Sequence, residues 1–488
     1  MIKLNPGEQG LTQTISVPLW QFAILLLLAL WAALVLLLAP GMRWFFRRRV
    51  NMVINEINTR VNIALPSFKI TRRQVLIDRL FHDARVQAAV DAYCEDQKLP
   101  RSAVMRRVDR YAREIVPSFN AYLYYRIGYA IARAVAKSLY RVRLGFTDDP
   151  GFAKIDRKST IVFVMNHRSN MDYILVAFLA AEQAALSYAV GEWARVWPLQ
   201  QLVRSMGAYF VRRNSGDPLY RTVLQRYVQM ATEAGVCQAM FPEGGLTVDG
   251  KLRPPKFGLL DYMVKSFNPE GERDLVFVPV GINYDRVLED RSLLRKLDPG
   301  APPVSLGVAI ATTARFVGKN LWLALTGRWH RFGYACVNFG TPFSMRQYVA
   351  TANVDFRQLP DAERRVAVAK LGEAVMQSIS RVIPVLPVSV VACVIERAGA
   401  GPLSELELKS RSLELMTALE KNGARIYIPR QDQDYAIGVG LRMLTLRELV
   451  VEQDGLFAAV AGNRPVLAYY ANAIAHLMEA QAKPAPPG

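Results

Sequence analysis

The sequence predicts an α/β protein: a mixed sheet flanked by helices, with a transmembrane and helical region before it and a helical domain after it. Three observations carry this expectation. Residues 145–345 alternate short apolar runs with helix-like segments and Gly/Pro turns, the pattern of layered α/β structure. Residues 17–40, "VPLWQFAILLLLALWAALVLLLAP", carry no charge and exceed the roughly 20 residues that cross a bilayer core. The stretches on either side of the alternating region repeat apolar residues at three-to-four spacing, the period of an amphipathic helix. The expected divisions are a membrane anchor at 1–45, a helical region at 46–144, the α/β domain at 145–345 and a C-terminal helical domain at 346–488.

The anchor is followed by "GMRWFFRRRV", with Arg43, Arg47, Arg48 and Arg49 and the interfacial rings of Trp44, Phe45 and Phe46. Only Lys3 and Glu8 precede it. The positive-inside tendency then predicts a single span, with the rest of the chain on the cytoplasmic side of a membrane. A cleaved signal peptide is the competing reading, but the apolar run is too long and the basic residues follow it. In the helical region, "RRQVLIDRLFHDARVQAAVDAYCEDQ" places Val75, Leu76, Leu80, Val86, Ala89 and Val90 on apolar positions. "RSAVMRRVDRYAREIV" sets Arg106, Arg107, Arg110 and Arg113 largely on one side. That face is either solvated or laid against anionic lipid. Helical character is read up to about Arg143.

Candidate strands in the alternating region are 160–165, 186–191, 237–241, 275–282 and 334–340, with helices read in "DYILVAFLAAEQ", "PLYRTVLQRYVQMATEAG" and "KFGLLDYMVKS". "FVPVGINYD" sets Pro279 inside an apolar run, which suggests an edge strand or the lip of a groove. Residues 308–329 read as an interfacial or a buried helix. Beyond 345, "PDAERRVAVAKLGEAVMQSISRVI" and "SELELKSRSLELMTALEKNGA" are amphipathic, with a helix stop at Gly423.

Composition narrows the chemistry. The formal charge is +19, from 61 Lys and Arg against 42 Asp and Glu, which favours anionic partners. Cys94, Cys237, Cys336 and Cys393 are scattered with no CxxC pair, which suits a reducing compartment and argues against a disulfide scaffold or zinc site. The histidines at 82, 167, 330 and 476 form no ligand pattern, so no metal is expected.

"IVFVMNHRSNMDYILV" places His167 and Asp172 five residues apart after an apolar run. On one helix they would point about 140° apart, so cooperation needs a turn between them. A strand ending at Met165, a turn, and a helix from about Asn170 capped by Ser169 or Asn170 would supply it. Asp172 in the first helical turn then accepts from one imidazole nitrogen and leaves the other as a base. A helix-capping loop with a structural histidine has the same pattern. Downstream, "MGAYFVRRN" delivers Arg212 and Arg213 together, a pair suited to phosphate. "AMFPEGGLTVDGKLRPPKFGLL" ends a strand at Pro242 and Glu243, and Gly244 and Gly245 let a ligand approach the backbone.

In this order and spacing the four blocks resemble the glycerolipid acyltransferases, nearest the glycerol-3-phosphate and dihydroxyacetone-phosphate enzymes. The resemblance covers roughly residues 119–477, including the closing "LAYYANAIAHL". It implies transfer of a fatty acyl group from acyl-CoA or acyl-carrier protein, as co-substrate, to the sn-1 hydroxyl of glycerol 3-phosphate, giving lysophosphatidic acid without a cofactor. His167 would be the base and Asp172 its orienter. Arg212 and Arg213 would bind the phosphate, Glu243, Gly244 and Gly245 would line the acceptor site, and Pro279 would lie at the acyl groove. The family's arginine and serine after E-G-G are replaced here by Leu246 and Thr247, and Lys256 is the residue expected to compensate. A 1-acylglycerol-3-phosphate acyltransferase is the alternative within this class. A non-catalytic module binding anionic lipid or nucleic acid would leave His167, Asp172, Arg212 and Glu243 unexplained, so membrane phospholipids are expected as partners and nucleic acid is not.

Overall fold

The computed structural model describes residues 66–180, 186–191, 199–212, 215–298, 331–399 and 401–479, with a few isolated positions besides. The chain divides into two units, Met1–Arg60 and Val61–Gly488, and the second contains the sheet and the helices around it. The expected span at 17–40 and the apolar segment at 308–329 lie outside the described residues except at isolated positions. Among the described residues no helix is long and apolar enough to cross a membrane.

"TIVFVM" becomes strand β2 (Thr160–Met165), in which every residue is buried. An unbroken apolar run of this kind belongs at the centre of a parallel sheet covered on both faces, and β2 is flanked by parallel partners on each side. The sheet also contains β1 (Arg141–Thr147), β3 (Ser187–Val190), β4 (Tyr209–Phe210), β5 (Gln238–Met240), β6 (Leu275–Tyr284), β7 (Tyr334–Phe339) and β8 (Phe343–Ser344). Its order is β1-β7-β6-β2-β5-β3-β4, with β8 also paired to β6. The strands from β6 to β4 run parallel, whereas β7 and β8 run antiparallel to β6. The sheet is therefore mixed.

Two expectations for the strands are corrected. Residues 141–143, read as the end of the helical region, open β1 instead. Val142, Leu144 and Phe146 alternate with Arg141, Arg143 and Gly145, a period-two pattern that suits a half-exposed edge. Pro279, read as an edge or groove lip, lies in the interior strand β6, opposite Val164 of β2. The sheet accepts it because the partner changes on the other side. There β8 pairs with Val276 and Phe277, β7 takes over at Val280, and Gly340 donates its N–H to the Pro279 carbonyl at 2.8 Å between them. A strand residue's N–H and C=O point to the same side, so the donor that proline lacks falls in this gap.

Helices cover both faces. One face, with Val162, Val164, Met240, Leu275 and Phe277, packs with α1 (Arg73–Phe81), α2 (Ala84–Gln97) and α3 (Arg101–Ile115), which precede the sheet. Asp83 starts α2 by accepting from the N–H groups of Arg85 and Val86. The other face, with Ile161, Phe163, Met165, Val278 and Val280, meets α4 (Tyr129–Leu139) and α5 (Met171–Ala180). Between the later strands lie α6 (Pro218–Glu233), whose first N–H groups are capped by Asp217, and α7 (Gly258–Val264).

The C-terminal residues add to both layers. α8 (Asp361–Ser380) sends Val368, Leu371 and Val375 to the first face. α9 (Pro387–Ala398) has residues 387–395 entirely buried and packs among α10 (Glu405–Lys421), α11 (Gln433–Leu446) and α12 (Arg464–Ala471) on the second. A capping box of Ser404 and Glu407 starts α10, and Gly423 lies just past its end.

Gly281 shows how tightly these layers meet. A β-carbon there would lie 2.2 Å from the Val382 carbonyl oxygen and 2.4 Å from its carbon, both backbone atoms beyond α8. Such contacts cannot be relieved by turning a side chain. Gly281→Ala is expected to destabilise the fold by at least about 1–3 kcal/mol, the usual cost of overpacking a core, and a thermal-unfolding midpoint equal to the wild type's would contradict it.

Candidate active site

Strand β2 ends at Met165 and α5 begins at Met171, so residues 166–170 make the turn between them. Asn166 pins this turn to β6: its amide nitrogen donates to the Ile282 carbonyl at 2.9 Å, and its oxygen accepts from the Ile282 N–H at 2.8 Å. Ser169 Oγ accepts from the Met171 N–H at 3.1 Å. Ser169 Oγ and the Asn170 N–H and amide donate to the Glu289 carboxylate at 2.7–3.2 Å.

His167 and Asp172 are both buried, with Nδ1 and Oδ2 2.9 Å apart. The same carboxylate oxygen accepts from the N–H groups of Arg168 (2.8 Å) and Ser169 (3.1 Å), while Oδ1 accepts from the buried Tyr284 hydroxyl at 2.5 Å. An ionised carboxylate is acceptor-only, so Nδ1 carries the proton and Nε2 is left as the basic nitrogen. The imidazole stacks on Phe241 (centroids 3.9 Å apart) and meets Tyr173 edge-on.

Glu243 stands behind this turn. Its Oε1 accepts from the His167 N–H at 2.8 Å and its Oε2 from the Arg253 N–H at 2.9 Å. Burial pushes its carboxyl up to about 7, against the downward pull of those two donors and of Arg168. Gly244, at φ 67°, turns the chain left-handed, and a β-carbon there would lie 2.6 Å from Lys256 Cδ. A glycine at 244 thus lets the Lys256 stem lie along the turn.

In front of His167 is a cavity of about 410 Å³. Tyr173, Val190, Leu224, Met240, Phe241 and Leu259 give it apolar walls, and Arg212, Arg221 and Lys256 bring positive charge. No aspartate or glutamate lines it among the described residues. Arg212 reaches its wall already paired: Nε and Nη2 bond Glu114 at 2.8 and 2.6 Å, and the guanidinium lies over the rings of Tyr111 and Tyr220. Hydrogen bonding to Glu114 raises the pKa of Arg212 further above its ordinary value.

Of the residues singled out from sequence, His167, Arg212, Gly244 and Lys256 meet at this cavity, with Asp172 directly behind His167. Glu243 and Gly245 are buried and do not line it, and Pro279 is held within β6. Arg213 lies outside the described residues. Sequence reasoning missed Asn166, Tyr284, Glu289 and Arg221. The first three act through contacts that only strand register and chain return create, whereas Arg221 carried a signal: it shares the first turns of α6 with Tyr220 and Leu224, which also line the cavity. Among the described residues no group of three or more His, Cys, Asp or Glu is placed to hold a metal ion.

Two family models match the chain. The acyltransferase model spans residues 150–283, and the glycerol-3-phosphate acyltransferase C-terminal region spans 321–483. The first contains the His167 turn, Asp172, the cavity and Tyr173; the second begins beyond them. Glycerol-3-phosphate acyltransferase from Aeromonas hydrophila is 25% identical over 436 residues, covering 86% of this chain and 52% of its own length. Those from Pseudoalteromonas atlantica and Pseudomonas putida are each 26% identical, over 83% and 84% of this chain and 50% and 49% of theirs. Residues 150–283 thus match an acyltransferase domain, and most of the chain is similar to glycerol-3-phosphate acyltransferases. It spans about half the length of the curated relatives it matches. A crystal structure of the 1-acyl-sn-glycerophosphate acyltransferase from Thermotoga maritima overlaps 51% of this chain and 77% of its own, at 16% identity and a TM-score of 0.29, too slight a likeness to carry weight.

Glu243 gives the site a pH signature. Its folded pKa, about 7, lies above the ordinary 4.5, so the folded chain holds a proton that the unfolded chain has released. Its contribution to stability is therefore fully present below about pH 4.5 and is lost as pH rises through about 7. Glu243→Gln should flatten that part of the unfolding free energy measured by urea titration between pH 5 and 7. Equal slopes in the two proteins would show that Glu243 titrates normally.

Proposed function

We propose that the chain transfers a fatty acyl group from a thioester donor, acyl-CoA or acyl-carrier protein, to the sn-1 hydroxyl of glycerol 3-phosphate, making lysophosphatidic acid. The observation that carries this reading is the buried His167–Asp172 pair at the wall of a cavity that is apolar and cationic and has no carboxylate in its lining among the described residues. An acyl chain suits the apolar walls, and a phosphorylated acceptor suits the cations. The names of the relatives support glycerol 3-phosphate as that acceptor.

The chemistry follows from the ring nitrogens. Nε2 of His167 takes the proton from the acceptor hydroxyl as its oxygen attacks the thioester carbonyl. The tetrahedral adduct collapses, an ester forms, the C–S bond breaks, and the thiolate leaves with the proton returned by the imidazolium. Asp172 holds Nδ1–H and stabilises the imidazolium by charge. Tyr284, Arg168 and Ser169 fix that carboxylate through four-point contact with His167. Direct transfer needs no acyl-enzyme, and no cofactor is invoked. A preference for an already acylated acceptor would make the protein a 1-acylglycerol-3-phosphate acyltransferase instead.

Residues 1–45 are proposed as a single membrane anchor, supported by the uncharged stretch at 17–40 and the arginines that follow it. The rest of the chain would lie on the cytoplasmic side, at the inner membrane in a bacterium, where an amphipathic product can leave into lipid. Deleting residues 1–42 should convert detergent-dependent extraction into salt-sensitive release. A truncated chain still requiring detergent at high salt would show that residues 1–42 are not what holds it to the bilayer.

His167→Ala should lower turnover of glycerol 3-phosphate by at least about 10²–10⁴-fold with the fold retained. Asp172→Asn should also lose most activity, because it disturbs the tautomer that frees Nε2. Tyr284→Phe should cost less, because Asp172 loses one donor and keeps its bond to the imidazole. Radiolabelled glycerol 3-phosphate with each donor in turn measures all three, and near-normal activity in a folded His167→Ala protein would eliminate the dyad.

A further inference from the structure

We infer that Arg221, acting with Lys256, supplies the phosphate-binding charge of the acceptor site, and that Glu114 withholds Arg212 from that role. This rests on the proposed acyltransferase function, and it assigns the recognition step of that site to a residue outside the sequence blocks that suggested the function.

Three described cations line the cavity, and their circumstances differ. Arg212 is spent on Glu114: two hydrogen bonds of 2.8 and 2.6 Å occupy Nε and Nη2, and the rings of Tyr111 and Tyr220 lie 5.1 and 4.9 Å from the guanidinium carbon. Tyr111 is in turn held by Asp217, its hydroxyl 2.5 Å from Oδ2. A phosphate reaching Arg212 would meet a guanidinium whose charge Glu114 already neutralises and whose Nε–Nη2 edge is occupied, leaving the Nη1 side with little net charge to offer. Arg221 and Lys256 are different. Both line the cavity, both are exposed, and among the described residues neither side chain enters an ion pair or hydrogen bond.

Their placement is built rather than incidental. Asp217 caps α6, Tyr220 is wholly buried, and Arg221 follows directly on the cavity side beside Tyr262. Lys256 approaches from the other direction, its stem against Gly244 and its own N–H bonded to the Pro242 carbonyl at 2.8 Å. Leu246, just beyond the glycine pair, packs into the core and brings nothing to the cavity. A dianionic phosphate between α6 and the Gly244 turn would meet two unpaired cations and no carboxylate among the described residues, with His167 on the same wall. Arg221 contributes a fork that can take two phosphate oxygens, and Lys256 a point charge.

The test measures binding of glycerol 3-phosphate by calorimetry to the full chain without donor, and then steady-state turnover. Arg221→Ala should weaken binding and raise the acceptor KM by about 10- to 150-fold, the range for loss of one charge-assisted contact, with the donor KM unchanged. Arg221→Lys should recover part of that loss, since the charge returns without the fork. Glu114→Gln in the Arg221→Ala background should recover part of it too, by releasing Arg212. Unchanged affinity in Arg221→Ala, or a rise confined to the donor KM, overturns the inference. Intact binding lost in Arg221→Ala, with no turnover by the wild type and any donor, would sustain the anion site and sink the acyltransferase reading alone. No binding by the wild type overturns the site itself.

Discussion

One buried carboxylate organises this site. Asp172 has no exposed surface, and an ion so placed is tolerated only when its lone pairs are met. Oδ2 gathers two backbone N–H groups and the imidazole, and Oδ1 takes the Tyr284 hydroxyl. The backbone donors force the turn after β2 to close on the start of α5. The side-chain donors come from residue 167 on that turn and residue 284 at the far end of β6. Removing any donor leaves buried charge unmet, so the turn, the tautomer and the register of β2 against β6 are stabilised together.

Glu243 is the counterpart on the other side of the turn. The resemblance to the acyltransferases implies a residue lining the acceptor site. The structure gives it two backbone donors instead, one from His167 itself. Asp172 and Glu243 thus both bond the His167 turn, and the glycines between Glu243 and Leu246 let the chain turn past without filling the cavity. A carboxyl group near a ligand site need not touch the ligand. Here its contribution is to hold the backbone from which the base projects.

What can be read from the sequence and what cannot divides along a physical line. Interior strands are legible because burial on both faces demands continuous apolar runs, as in β2 and β6. The turn between His167 and Asp172 is legible because strand end, cap and acidic first turn are local signals. β1 is not, because an edge strand needs only alternation, and its arginines merge with a helical pattern upstream. Pro279 misleads because the rule that bars proline from a sheet interior assumes an unbroken ladder, and β6 changes partner beside it. The pairings that matter most at the site are out of reach: Glu114 and Arg212 are 98 residues apart, and Asp172 and Tyr284 are 112 apart. No local pattern encodes such contacts.

The C-terminal region meets the same turn from behind, which gives its presence a structural reason. Tyr469 donates to the Arg168 carbonyl at 3.4 Å, its ring lies 5.0 Å from the Arg168 guanidinium carbon, and Arg168 itself donates to the Gly250 carbonyl at 3.1 Å. Next to it, Tyr470 and Arg447 both bond Asp290, and Tyr470 accepts from the Val287 N–H. Asp290 adjoins Glu289, whose carboxylate holds Ser169 and Asn170. Two routes therefore run from the ends of α11 and α12 to the residues that directly follow the base, one through Arg168 and one through Glu289. The interior ends of both are buried, so neither is screened as a surface ion pair would be. A sheet with helices on one face alone would leave Ile161, Phe163, Val278 and Val280 partly uncovered and this turn held only from within. The helices that close the chain complete the layer and, by the same packing, fix the position of His167.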